Sequence, residues 1–320
     1  GLGVRRFFGF FHADGLPSSG IRAGPIEIWP GIPDYPSGQM PVNATRFLRK
    51  MRGGAQAHLL ATDDAPKPPF FVTKFRGNPQ HNRILVNEWI VARLLTHLRI
   101  ATPDLAVINV SNNFLERNEE VHFQFGTGRK PVQAGWHLGS RFPGNPDTEA
   151  VYDFLPDALL NQVHNVADFR GALVLDKWVS NSDARQAIFF RRRIRDWLDD
   201  DGVAPQQKGF VTQMVDHGYA FDGPHWEYAD SPLQGIYMRP GVYQGVRTLD
   251  DFQPWLDWVR FFPETAVDAA YRELPRDWMD GEEAELERLL ERLLARRARV
   301  ADLVLATVRG RARSFPDWLG

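Results

Sequence analysis

The sequence predicts an α+β protein with a strand-rich first half carrying one helix and a mainly helical second half. Three observations predict it. From Pro41 to about Val110, short β-branched and aromatic runs alternate with turn residues. One amphipathic stretch, residues 78–99, interrupts them. From about Ala150 onward, apolar residues recur mostly at helical spacing. The 320 residues are 43% hydrophobic and 24% charged, an ordinary balance for a protein with a real core, and the length allows one large domain or two lobes.

Residues 1–40 are rich in Gly and Pro without a helical or strand period, and are expected to form an arm; alternatively Met40 is the natural start. "NATRFLRKMRGGAQAHLLATDD" reads as a strand, a Gly-Gly turn and a returning strand, and "PPFFVTKFRG" as a compact strand. In "NPQHNRILVNEWIVARLLTHLR", Asn78 is the expected N-cap, Pro79 the first helical residue, and Ile84, Val91, Leu94, Leu95 and Leu98 one face. "LAVINV" and "VHFQF" are strands, with "GTG" as a turn, completing an antiparallel sheet with one helix. Next come a helix in "DFRGALVLDKWV", a hairpin of "AIFFRRR" and "GFVTQMVD", and helices in "LDDFQPWLDWVRFF" and "EEAELERLLERLLARRARVADLVLATV". The last carries an apolar stripe that Arg297 interrupts, which favours packing on the domain over a coiled coil.

Composition excludes several classes. A net charge of −2 gives no reason to expect nucleic acid or a membrane surface as partner. Without cysteine there is no disulfide, thiolate nucleophile or Cys-held zinc. No apolar run reaches the roughly 18 residues of a membrane helix, and "RRFFGFF" is too short for a signal-peptide core, so a soluble, cytoplasmic protein is expected. The histidines form no H-E-x-x-H; "HWE" at His225 lacks the Cys pair of a deaminase; G-x-S-x-G and the P-loop are absent. The basic run Arg191 to Arg195 is expected to be a solvated hairpin offset by "DWLDDD".

Four pieces could share one site. Gly53 and Gly54, followed by Gln56, either make a hairpin turn or close backbone N–H groups over phosphates. Lys74 shares a strand face with Phe70 and Val72, so it either snorkels to water or is covered and needs an anion. Glu88 flanks the apolar face of the following helix, where it either meets Lys74 or reaches solvent. Asp216, in "MVDHGYAF", ends the second hairpin strand and returns the chain towards Asp183, as a turn or as a metal-ligand carboxylate. The loop "SNSDARQ" before the hairpin gathers Asn181, Asp183, Arg185 and Gln186, either to satisfy helix-end groups or to do chemistry.

In this order, "RGGAQAHLL", "FFVTKFRGNPQHNRILVNEWIVARLL", "DKWVSNSDARQAIFF" and "MVDHGYAF" make the chain resemble a HipA-like kinase, from about Pro41 to the final helix. The resemblance implies a bilobed, protein-kinase-like fold, with a β-rich N-lobe at 41–143 and a helical C-lobe at 144–320. It implies ATP and Mg²⁺ as cofactors, Lys74 binding phosphates with Glu88 as its partner, and Gly53, Gly54 and Gln56 over the nucleotide. Asp183 would be the catalytic base and Asp216 a metal ligand. The family's Asn, about five residues after the catalytic Asp, falls here on Ile188. A loop shortened by two residues would give its role to Gln186; a second register pairs Asp176 with Asn181. The implied activity is ATP-dependent phosphorylation of a protein Ser/Thr hydroxyl. The alternatives are a nucleotide- or partner-binding pseudokinase module and a small-molecule kinase.

Overall fold

The structure, a computed structural model, describes residues 41–63, 68–198 and 202–320, so the expectation for residues 1–40 lies outside it. Strands β1 (Val42–Lys50), β2 (His58–Thr62), β3 (Phe70–Lys74), β4 (Leu105–Val110) and β7 (Gly135–Arg141) close into a barrel in the order β1-β2-β3-β7-β4. β5 (His122–Phe125) and β6 (Gly128–Pro131) form a separate hairpin through the expected Gly turn. β8 (Val151–Tyr152), β9 (Gln186–Arg193) and β10 (Lys208–Val215) make a three-stranded antiparallel sheet. The α-helices are α1 (Arg83–His97), α2 (Asn112–Arg117), α3 (Asp157–Leu160), α4 (Asp168–Trp178), α5 (Trp255–Arg260), α6 (Glu264–Arg272), α7 (Glu283–Ala295) and α8 (Val300–Gly310).

This corrects the expected bilobed, kinase-like architecture. The first half is a closed barrel, not an open antiparallel sheet, because β1 also pairs in parallel with β4, Val42 with Ile108 and Asn43 with Asn109. It carries two helices rather than one. The additional helix, α2, is capped by Ser111, whose hydroxyl accepts from the Phe114 amide (3.1 Å), and the Phe114 ring seals the barrel. The described residues form one compact unit rather than two lobes.

Barrel closure follows from alternation along the strands. Leu60, Phe71, Phe75, Ile108 and Phe123 point inward, while Leu59, Ala61 and Phe70 pack outside with Phe142. Gly139 is where three strands meet, opposite Thr73 of β3 and Ala106 of β4. A Cβ there would lie 2.5 Å from Ile108 and 3.1 Å from Phe71, so only glycine lets β7 pair on both sides. Val72 and Lys74 share the outer face, which positions the lysine outside the barrel core.

Three sequence expectations shift at their boundaries. The first helix begins at Arg83, and residues 78–82 instead form a turn held by the Asn78 side chain. "LDDFQPWLDWVRFF" splits at Pro254, which has no N–H to donate, into a 3₁₀ turn and α5. The long C-terminal helix breaks at Arg296–Arg299, where Arg296 is buried and its guanidinium caps the carbonyls of Lys177 and Trp178 at the end of α4. That bond locks the C-terminal helices onto α4, of whose eleven residues ten are buried.

Two histidines flank the Phe75 ring inside the barrel, His58 at 5.0 Å and His137 at 5.1 Å between centroids. Burial holds His58 down to about 4 and His137 to about 3. Because both values are depressed, the unfolded chain binds more protons between pH 4 and 6.5, and the fold loses stability as pH falls through that window. The expected loss is about 1.4 kcal/mol per pH unit for each histidine. Denaturation midpoints at pH 7 and pH 5 check this: His58→Gln or His137→Gln should flatten the slope, and equal midpoints in the native protein would contradict the account.

Candidate active site

Lys74 ends β3 on the outer barrel face with its side chain 15% exposed. Its ammonium pairs with Glu88 of α1 and, at 2.8 Å, with Asp216 just beyond β10. Burial works against the charge, but Glu88 and Asp216 outweigh it and hold Lys74 above the ordinary lysine range. Glu88 is itself buried, so the expected partnership of a covered lysine with a helix glutamate is present in the structure.

Asp216 has a left-handed backbone (φ 58°), which Asp tolerates better than most residues, and this turns the chain out of β10 towards α1. Two residues on, Gly218 lies against that helix: a Cβ there would sit 2.5 Å from Ile84 and 3.5 Å from the Glu88 carboxylate. Asn87, buried beside Glu88, donates to the carbonyls of Gly218, Ala220 and Gly223 at 2.7–3.0 Å and accepts from the Trp226 indole. Sequence reading missed Asn87. The available signal was an Asn inside a helix whose neighbours are all apolar or paired, a position its propensity disfavours.

The opposite wall is the loop from α4 to β9. The β9–β10 ladder sets Gln186 opposite Val215, the residue before Asp216. The Ser182 amide donates to the Tyr219 carbonyl (3.0 Å), so the Asp183 loop runs beside the segment that follows Asp216. Asp183 and Gln186 are both exposed; one Asp183 oxygen accepts the Ala184 amide (2.7 Å).

Beneath this loop lies a buried network. Arg185 makes a two-pronged pair with Asp176, which also accepts from Asn181 (3.1 Å). Burial weighs against the guanidinium's charge, and Asp176 more than restores it, raising its pKa above the usual value. Its Nη1 meets His217 Nδ1 at 2.8 Å. Arginine can only donate, so Nδ1 accepts and Nε2–H of His217 donates to Thr102 Oγ1 (3.2 Å), which in turn donates to the Met214 carbonyl. Burial, then the Arg185 charge, keeps His217 far below its usual pKa and neutral. Asp176 is therefore committed to Arg185, which disposes of the register that made it a reacting carboxylate. Arg185 orients the loop and is too deeply buried to meet a phosphate.

The glycine turn is built differently from the expectation. Gln56 is engaged at both ends of its amide with the backbone of Gln124 (2.7 and 2.8 Å), which anchors the β5–β6 hairpin. A Cβ on Gly54 would sit 2.5 Å from the Gln80 amide, which donates to the Tyr219 hydroxyl (3.2 Å). Gly53 has φ 126°, a region that favours glycine. The turn thus reaches the Asp216 segment through Gln80 and Tyr219.

No cluster of three or more His, Asp or Glu able to hold a metal occurs among the described residues. Mg²⁺ with a phosphate ligand needs only one or two protein oxygens; Asp216 and Gln186 would be the residues to hold it here, Gln186 lying opposite Val215 in the ladder. Lys74, Glu88 and Asp216 together carry one net negative charge, so a polyphosphate would be repelled unless a cation came with it. No helix among the described residues is long and apolar enough to cross a membrane. No protein-family model matches the chain, and no curated protein matches it.

Breaking the Asp176–Arg185 pair strands a buried charge. Asp176→Asn is expected to cost about 3–5 kcal/mol in chemical denaturation, and a loss under about 1 kcal/mol would contradict the structural role given to the pair.

Proposed function

We propose that the chain is an ATP- and Mg²⁺-dependent phosphotransferase of the HipA-like type acting on a protein Ser/Thr hydroxyl. The observation that carries this reading is the convergence of a largely covered lysine, a glutamate on the helix that follows it and a carboxylate beyond a hairpin far later in the sequence. Lys74 would hold the nucleotide phosphates, with Glu88 fixing its direction. Asp216, with Gln186, would hold Mg²⁺, which supplies charge neutralisation at the transferring phosphate. Asp183 would accept the proton of the attacking hydroxyl, and its loop is held in place by the Asp176–Arg185 pair. The exposure of Asp183 supports a macromolecular hydroxyl over a small enclosed substrate. Gly53 and Gly54 remain available as a cover for the phosphates; Gln56 serves the hairpin.

A second reading is nucleotide binding without transfer. It is favoured by the burial of Arg185, which takes the cation of the Asp183 loop out of reach of a phosphate.

Thermal shift with Mg·ATP tests the shared part. At about a hundredfold over Kd, ATP should stabilise the wild type by about 2.7 kcal/mol, and Asp216→Ala should lose most of that response while staying folded. Transfer of labelled γ-phosphate to protein then separates the readings: loss of transfer with retained binding in Asp183→Asn supports catalysis. A folded wild type indifferent to millimolar Mg·ATP would remove both.

A further inference from the structure

Behind the Asp183 loop, between the end of α4, residues 229–234 and α8, lies a cavity of about 190 Å³. Two side chains in its wall are unexplained by anything above. Lys177 is buried, and its ammonium donates only to the carbonyls of Ser231 (3.0 Å) and Gln234. Ser180 is 6% exposed, and its hydroxyl has no hydrogen-bond partner among the described residues.

The acids at the same wall do not neutralise Lys177. Asp176 is taken by Arg185, and Asp230 by Arg296 and Arg299. Arg311, bonded to the Leu233 carbonyl at the same loop, adds further positive potential. Burial lowers the Lys177 pKa to about 8; Asp176 and Asp230 pull it up and Arg311 pushes it down. The cavity therefore presents one uncompensated cation and one idle hydroxyl.

Ser180 is also an unusual choice for its position. The Asn181 amide bonds back to the Asp176 carbonyl (2.9 Å), the six-to-one bond of a helix end whose turning residue is left-handed and usually glycine. Ser180 is that residue, with φ 52°. A serine there accepts backbone strain and places a hydroxyl where glycine would have none.

We propose that this cavity binds a small monocarboxylate with an aliphatic tail of about four to six carbons, its head on Lys177 and Ser180. The tail would lie against Pro232, Leu303 and Ala306, which supply the apolar wall. The volume suits it, since cavities of about 150 Å³ hold benzene. A phosphate fits less well: it carries up to two charges and favours arginine forks, whereas Arg185, Arg296 and Arg299 are already paired with Asp176 and Asp230 and Arg311 is engaged by the Leu233 carbonyl. Because Asp176 and Asn181 also line the cavity, an occupant would touch the residues that hold the Asp183 loop. Binding itself does not depend on the proposed kinase activity.

Titration of valerate, isovalerate and inorganic phosphate into the full chain, followed by calorimetry and ligand-observed NMR, tests this. The wild type should bind a carboxylate saturably and in preference to phosphate. Ser180→Gly should keep or raise the melting temperature while weakening that binding about tenfold. Ala306→Phe, at the exposed rim, should abolish it by filling the mouth. No saturable carboxylate binding, a preference for phosphate, or binding that survives either variant unchanged would overturn the proposal.

Discussion

The pairing of Lys74 with Glu88 and Asp216 is the interaction on which the rest of the arrangement turns. A lysine covered to this degree needs partners for its charge, and Glu88, more deeply buried, is one of the two it has. The barrel strand, the helix after it and the far end of the β9–β10 hairpin are thereby held together by charge. Gly218 and Asn87 then make that junction sterically and polar-complete: one lets the chain approach α1, and the other satisfies three carbonyls that the approach would bury.

The second network divides labour with the first. Asp176, Arg185 and His217 are all nearly inaccessible and satisfy one another, so they fix geometry. Asp183 on the α4–β9 loop and Gln186 at the start of β9 face solvent, where a ligand could reach them. The exposed residues thus stand on a buried support contributed by α4, Arg185 of the loop and the segment after β10.

Much of this was legible in sequence because it rests on local pattern. The β9–β10 hairpin, α4 and the alternation that puts Lys74 with Val72 follow from period and turn residues. The Lys74–Glu88 pair followed from a glutamate on the wrong side of an amphipathic helix. What was not legible depends on distant partners. Closure of the barrel hangs on two parallel residue pairs and on Gly139 meeting Ile108, neither of which leaves a period in the sequence. The break at Arg296 was marked in sequence only by Arg297 interrupting the apolar stripe, and its cause is a pair of carbonyls over a hundred residues earlier. Asp176 read as an oddity within an apolar helix until its partner, Arg185, explained it; Gln56 resembled a phosphate ligand until the Gln124 backbone claimed it.

In the function proposed above, Lys74 lies where nucleotide phosphates bind. An acyl-phosphate derivative of ATP, which delivers its acyl group to a lysine held beside the phosphates, tests it most directly with peptide mass spectrometry. Labelling of Lys74 should depend on Mg²⁺, be suppressed by excess ATP and diminish in Asp216→Ala. Labelling confined to exposed lysines such as Lys130 and Lys208, or labelling of Lys74 that ATP does not compete, would contradict it.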